Sequence, residues 1–221
     1  MRTDAKARAI LRTLKEDDKS LLLRRVGASL ELVLGNVVLL SSAALETELV
    51  FGALANEAPP GRVLVGGLGF GATLRGALAT HATEVIVSEK LGAVIDVARN
   101  EAADLVAGAL DDPRVRLERS DVADLIAAAA PRSLSAILLD VDNGPEWASF
   151  RTNARLYAEA ALVRARNALV PGGIFAVWSG YPADAFLKTL RSAGFLPRIE
   201  PLKERGVVRA RAYLGRAPEI A

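Results

Sequence analysis

The stretch that most constrains the fold is Arg62-Val-Leu-Val-Gly-Gly-Leu-Gly-Phe-Gly-Ala-Thr-Leu-Arg75, where an apolar run yields to Gly67, Gly69 and Gly71 and then resumes with helical spacing. It predicts a strand, a tight turn and a helix. A buried parallel strand ending in glycine-rich backbone lets a ligand approach bare peptide groups, and the next helix aims its free N–H groups and positive dipole end at it. The same spacing also serves plain packing of helix on strand, so the turn needs a second signal. Glu84-Val-Ile-Val-Ser88 supplies it as another short buried strand, followed by Glu89 and Lys90. Glu89 lies twenty residues beyond Gly69, the spacing at which a carboxylate at a second strand's end reaches the paired ribose hydroxyls of a nucleotide.

Further α/β units follow. Leu91 to Leu110 is helical by pattern, Val115-Arg-Leu-Glu118 is a third strand, and Ser120 or Asp121 can cap the helix that begins near Val122. In a nucleotide pocket Asp121 can also accept from an adenine amino group while neighbouring backbone donates to the ring. Ser135-Ala-Ile-Leu-Leu139 is a fourth strand running into Asp140-Val-Asp142-Asn143-Gly144-Pro145. Two carboxylates and a carboxamide at a strand's carboxyl end lie where open α/β sheets place their ligands, although Asp and Asn favour turns for local reasons too. A long helix is expected over 152–169, a fifth strand over Ile174–Trp178, a last helix over Ala183–Ala193, and two closing strands over Phe195–Ile199 and Val207–Leu214. Trp178 and Tyr181 are placed to form an aromatic wall or to pack. The sum is a mixed seven-stranded sheet with helices on both faces.

Before the glycine turn, Ile10, Leu11 and Leu14 predict a short amphipathic helix or a loosely held arm. Ser29-Leu-Glu-Leu-Val-Leu34, Gly35-Asn36 and Val37-Val-Leu-Leu40 predict a β-hairpin, because the Gly-Asn pair supplies positive φ. A helix follows over Ala43–Ala55, and Pro59-Pro60-Gly61 marks a boundary. Residues 1–58 are thus expected to form an N-terminal arm, hairpin and linking helix, and 59–221 a Rossmann-like domain.

Composition excludes several classes. The chain has 221 residues, no cysteine and one histidine, His81, so disulfides, thiolate nucleophiles and Cys- or His-based metal sites are not expected. No apolar run approaches the roughly 20 residues of a membrane span, and Met1-Arg-Thr-Asp-Ala-Lys6 is too polar for a signal peptide, which predicts a cytoplasmic protein with no membrane partner. The formal charge is only +2; the arginines are scattered without interleaved aromatics, and no nucleic acid partner is expected. A homodimer is compatible with the sequence.

On these motifs the chain resembles the spermidine synthase-like branch of the class I S-adenosylmethionine-dependent methyltransferase superfamily. The family's Val-Leu-Val-Ile-Gly-Gly-Gly-Asp-Gly-Gly-Thr-Leu-Arg signature matches Val63 through Arg75, and its Ile-Ile-Val-Asp loop matches Ile137 through Asp140. The resemblance implies a Rossmann-like fold with S-adenosylmethionine, or its decarboxylated form, bound by Gly67, Gly69, Phe70, Gly71, Glu89, Lys90, Asp121, Val122 and Asp140. It also implies that Asp140 stands at the transfer centre, with Asp142 and Asn143 as its neighbours. Departures bear on the reaction. Phe70 replaces the signature aspartate, Leu39 stands at the hairpin glutamine, Asn143 replaces the second acid of Asp-x-x-Asp-Pro, and Leu45-Glu46-Thr47-Glu48 replaces a tyrosine-bearing helix start. A dicationic diamine facing apolar side chains is poorly compensated. The expectation is therefore methyl transfer to a small amine or hydroxyl, with Asp140 or Asp142 as base and Asn143 orienting. Glu46, Glu48, Trp178 and Tyr181 would shape the acceptor site. The alternatives are aminopropyl transfer from decarboxylated S-adenosylmethionine and a non-catalytic nucleotide-binding homologue.

Overall fold

The computed structural model describes residues 8–141, 145 and 153–219. Strands β1 (Arg8–Glu16), β2 (Lys19–Val26), β3 (Ser29–Leu34) and β4 (Val37–Ser41) form an antiparallel sheet in that order. Gly35, at φ +59°, lets the two-residue turn close Leu34 against Val37. The first segment is thus a strand and not the expected helix. Its pairing sets Leu14 opposite Leu21 and buries both, whereas Ile10 and Leu11 stay exposed, so helical spacing among these leucines is incidental.

After α1 (Leu45–Ala53), the chain enters a seven-stranded sheet built from β5 (Arg62–Gly66), β6 (Glu84–Ser88), β7 (Val115–Glu118), β8 (Leu134–Leu139), β9 (Leu169–Ser179), β10 (Leu196–Glu204) and β11 (Val207–Arg216). The order is β10-β11-β9-β8-β5-β6-β7. The five strands from β9 to β7 are parallel, while β11 runs antiparallel to β9 and β10 antiparallel to β11. The connecting helices are α2 (Ala72–Leu78), α3 (Gly92–Arg99), α4 (Ala103–Val106), α5 (Val122–Ala128), α6 (Glu159–Ala168) and α7 (Phe186–Ser192). The single helix expected over 91–110 is split, because Asn100 leaves helical geometry and Ala107 and Gly108 are left-handed. The helix expected over 152–169 is likewise divided within the described residues, into a 3-10 turn over Ala154–Tyr157 and α6, by the extended Ala158. The fifth strand, expected from Ile174, already begins at Leu169, so that Pro171-Gly172-Gly173 lies within β9.

Period-two alternation sorts the parallel strands onto two cores. Val63, Val65, Val85, Val87, Ala136 and Leu138 face the N-terminal sheet's leucines and the residues Phe51, Leu74 and Val94 of α1, α2 and α3. Leu64, Ile86, Ile137 and Leu139 face α5, α6 and α7 through Val122, Leu162 and Leu190. A polar latch joins the two sheets. Glu16, buried at the end of β1, accepts from Ala93 N–H at 2.7 Å at the start of α3 and pairs with Arg119 at 2.9 Å.

Candidate active site

Strand order reverses at β5, whose neighbours are β6 on one side and β8 on the other. Beyond the carboxyl ends of these strands lies the crevice in which open α/β sheets bind ligands. The chain brings its glycine turn, Glu89, Asp121 and Asp140 there from four successive strands.

The turn itself is held from within. Gly67 has φ +93°, donates to the Ser88 carbonyl at 2.8 Å, and lies so close to β8 that a Cβ there would meet the Asp140 carbonyl oxygen at 2.1 Å. Only glycine fits both demands. Gly69 is also left-handed, and a Cβ on it would meet only Leu40, at 3.7 Å. Gly71 (φ +81°) opens α2 and rests on Val106. Phe70 is buried at 2% exposure in the core shared with the N-terminal sheet, so it packs where the family signature carries a charge. Val122 is buried too, in the core on the opposite face.

Glu89 is buried and turned toward the glycines. Its Oε2 accepts from Leu68 N–H at 3.0 Å and its Oε1 from Leu91 N–H at 2.8 Å. Burial pushes this carboxyl's pKa up, against the downward pull of N–H groups of Leu91, Leu68, Lys90 and Gly69. Asp121 caps α5 by accepting from Ala123 N–H at 2.9 Å, while its Oδ2 meets Arg155 at 2.6 Å and Lys90 at 3.7 Å. Arg155 follows the loop after β8 and carried no signal in the sequence.

At the end of β8, Asp140 accepts from the Thr73 hydroxyl at 2.6 Å, and that hydroxyl oxygen lies 3.4 Å from the Glu48 carbonyl. Burial pushes Asp140 up to about 6 against the Thr73 bond. Burial and then the Asp140 charge push Glu48 up to about 9. The main chain of α1 at Glu48 reaches Thr73 because α1 and α2 cross at glycines: a Cβ on Gly52 would stand 2.1 Å from the Thr73 carbonyl oxygen. Trp178, at the end of β9, donates to the Thr47 hydroxyl at 3.3 Å and so fastens the start of α1. Glu46 is exposed on the same helix. Tyr181 is 46% exposed, and its carbonyl accepts from the Ser179 hydroxyl at 2.6 Å. Asp142 and Asn143 lie outside the described residues. Thr73 had no assigned role in the sequence, although it belongs to the Gly-Thr-Leu-Arg end of the signature. No described helix is long and apolar enough to cross a membrane.

No protein-family model matches the chain. The polyamine aminopropyltransferase of Mycobacterium tuberculosis is 34% identical over 156 residues, 66% of this chain and 29% of that protein. Polyamine aminopropyltransferase 1 of Hyperthermus butylicus is 34% identical over 152 residues, 65% of this chain and 50% of that protein. The chain thus spans less than a third of the mycobacterial relative and half of the archaeal one. Among solved structures, spermidine synthase from Thermotoga maritima superposes with a TM-score of 0.73 at 18% identity, covering 96% of this chain and 74% of that one. A spermidine synthase in complex with the transition-state analogue AdoDATO gives 0.73 at 17% identity, covering 96% and 73%. The chain therefore has the spermidine synthase-like fold of the class I S-adenosylmethionine-dependent methyltransferase superfamily.

Proposed function

We propose that the chain transfers an aminopropyl group from decarboxylated S-adenosylmethionine to an amine. The observation that carries this reading is Asp140 beside the glycine turn, hydrogen-bonded to Thr73, with the main chain of α1 at Glu48 packed on the same threonine. The expectation of methyl transfer rested on Phe70, Leu39, Asn143 and the Leu45-Glu46-Thr47-Glu48 helix start, which depart from the groups that would hold a cationic acceptor. Against it stands Glu48, an acid on the turn of α1 that packs on Thr73. The names of the relatives point the same way, toward aminopropyl rather than methyl transfer.

In this reading Gly67–Gly71 and Glu89 hold the adenosyl part, with Asp121 and Lys90 at its adenine edge. The acceptor nitrogen's lone pair attacks the aminopropyl carbon bonded to sulfur. The N–C bond forms, the C–S bond breaks, and its electron pair stays on sulfur to leave neutral methylthioadenosine. The acceptor arrives as an ammonium and must first lose one proton, which Asp140 takes. Catalysis is otherwise alignment of two bound substrates.

The test offers both sulfonium forms with putrescine and follows the nucleoside product by chromatography. Methylthioadenosine from the decarboxylated form alone is expected. Release of S-adenosylhomocysteine with a methylated acceptor would overturn the proposal in favour of methyl transfer.

A further inference from the structure

Thr73 is buried at 2% exposure in the first turn of α2, where a hydroxyl gains nothing unless it is hydrogen-bonded. Helical threonines commonly return that hydroxyl to a carbonyl one turn earlier. Thr73 gives it instead to Asp140 Oδ2, 67 positions on, at 2.6 Å, the length of a bond to an ionised acceptor. Both partners are anchored through their backbones. The Thr73 carbonyl oxygen would stand 2.1 Å from a Cβ on Gly52, so α1 closes on it. The Asp140 N–H donates to the Gly66 carbonyl at 2.8 Å, and the Asp140 carbonyl oxygen would stand 2.1 Å from a Cβ on Gly67. The torsion that turns an aspartate's carboxylate is otherwise broad. With its backbone fixed and one oxygen held, the Asp140 carboxylate keeps one orientation.

We propose that Thr73 is the positioning residue of the base: its hydroxyl holds Asp140 Oδ2, so that Oδ1 takes the proton of the attacking amine. This rests on the transferase reading above and adds to it a residue to which the sequence resemblance gives no role. The hydroxyl keeps its own proton throughout, and the proton from the nitrogen passes to Asp140 and then to solvent. A hydrogen bond to the ionised carboxylate also favours that form, against the burial that disfavours it. The charged groups on the elements around Asp140 are Glu46 and Glu48 of α1, Arg75 of α2, and Glu89 and Lys90 beyond β6. Glu46 is exposed, Arg75 is turned to the Leu105 carbonyl at 3.1 Å, Glu89 receives the Leu68 and Leu91 N–H groups, and Lys90 lies 3.7 Å from Asp121. Glu48, pushed up to about 9, is neutral while Asp140 titrates.

The experiment compares the wild type with Thr73→Val, which keeps the β-branched shape and removes the hydroxyl, and with Thr73→Ser, which keeps the hydroxyl. Methylthioadenosine affinity is measured by calorimetry, transfer from decarboxylated S-adenosylmethionine to putrescine by steady-state kinetics across pH, and the Asp140 carboxyl by carbon NMR titration. Thr73→Val is expected to lower kcat by about 10- to 100-fold, the scale of a misplaced catalytic group, with methylthioadenosine affinity and the putrescine KM within about twofold. The acid limb of kcat/KM and the NMR midpoint of Asp140 both move up by about one pH unit, through loss of one hydrogen bond to a charged group. Thr73→Ser recovers most of both. A wild-type kcat and an unmoved acid limb in Thr73→Val overturn the proposal, as does a Thr73→Ser no better than Thr73→Val, since either outcome leaves Thr73 a packing role. A wild type that releases no methylthioadenosine overturns the transferase reading instead, and the NMR midpoint then still decides whether the hydroxyl holds Asp140. Should Thr73→Val fail to fold by circular dichroism, Thr73→Ala takes its place.

Discussion

Gly52 of α1 and Gly76 of α2 meet backbone to backbone: a Cβ on Gly52 would lie 2.9 Å from the Gly76 Cα, and one on Gly76 would lie 2.1 Å from the Leu49 carbonyl oxygen. This crossing is what carries the main chain of Glu48, one turn before Gly52, to the Thr73 hydroxyl that Asp140 holds. An alanine at either position must push the helices apart, since the atoms it meets are backbone. Gly52→Ala should destabilise by about 1–3 kcal/mol, the usual cost of overpacking, and weaken acceptor binding more than nucleoside binding. Thermal unfolding together with the two titrations checks this.

Asp140 follows β8 against Gly67 of the glycine turn, hydrogen-bonded to Thr73. Asp140→Asn keeps an acceptor for Thr73 and removes the base. Turnover should fall by about 10²–10⁴-fold, the typical contribution of a general base, with methylthioadenosine affinity within about twofold. Single-turnover kinetics reads the first quantity and calorimetry the second.

Glu48 and Asp140 also set a pH dependence of stability. Both are raised in the folded chain, to about 9 and about 6, so their contribution is full below the ordinary carboxyl range and is lost as pH rises, through 6 for Asp140 and then through 9 for Glu48. Glu48→Gln should therefore gain in Tm relative to wild type as pH climbs from 6 to 9 and show little difference near pH 4. A Tm difference that shrinks over this range contradicts the sheltering of Glu48.

Glu16 predicts the opposite slope. Burial raises its pKa, but the N–H groups of Ala93 and Gly92 and the Arg119 guanidinium outweigh that and hold it below its ordinary value. Its stabilisation is present above the unfolded carboxyl range and lost as pH falls through the folded value. Glu16→Gln should cost stability at pH 7, about 1 kcal/mol by analogy with lost helix caps, and the difference should fade in acid. Thermal unfolding between pH 3 and pH 7 tests it.

Glu89 receives Leu68 and Leu91 N–H groups and faces the turn. Glu89→Gln replaces one accepting oxygen by an N–H₂ group pointing at a backbone donor. Hydrogen bonds to a charged group are worth about 1.5–3 kcal/mol, so methylthioadenosine affinity should fall by roughly tenfold or more. Isothermal titration of wild type and variant decides it.

Short continuous apolar runs made β5, β6 and β8 legible in the residues alone, and glycine spacing located the turn at 67–71, because both depend on neighbours within a few positions. The distance from Gly69 to Glu89 is likewise fixed by one β-α-β unit, and the resemblance placed Asp140 on the same crevice. The N-terminal strand β1 was not legible: its leucines fit a helical period, and only pairing with β2 and burial of Leu14 on the main core decide for a strand. The latch of Glu16 on α3 joins residues 77 positions apart, and Arg155 on Asp121 joins 34, distances at which local pattern carries no information. Glu48 was visible as an acid near a helix start, but nothing local says which way that helix leans. Two glycines on different helices decide it, by allowing a backbone contact that any side chain would forbid, and so only the tertiary packing brings the main chain of Glu48 and the carboxyl of Asp140 onto one hydroxyl, that of Thr73.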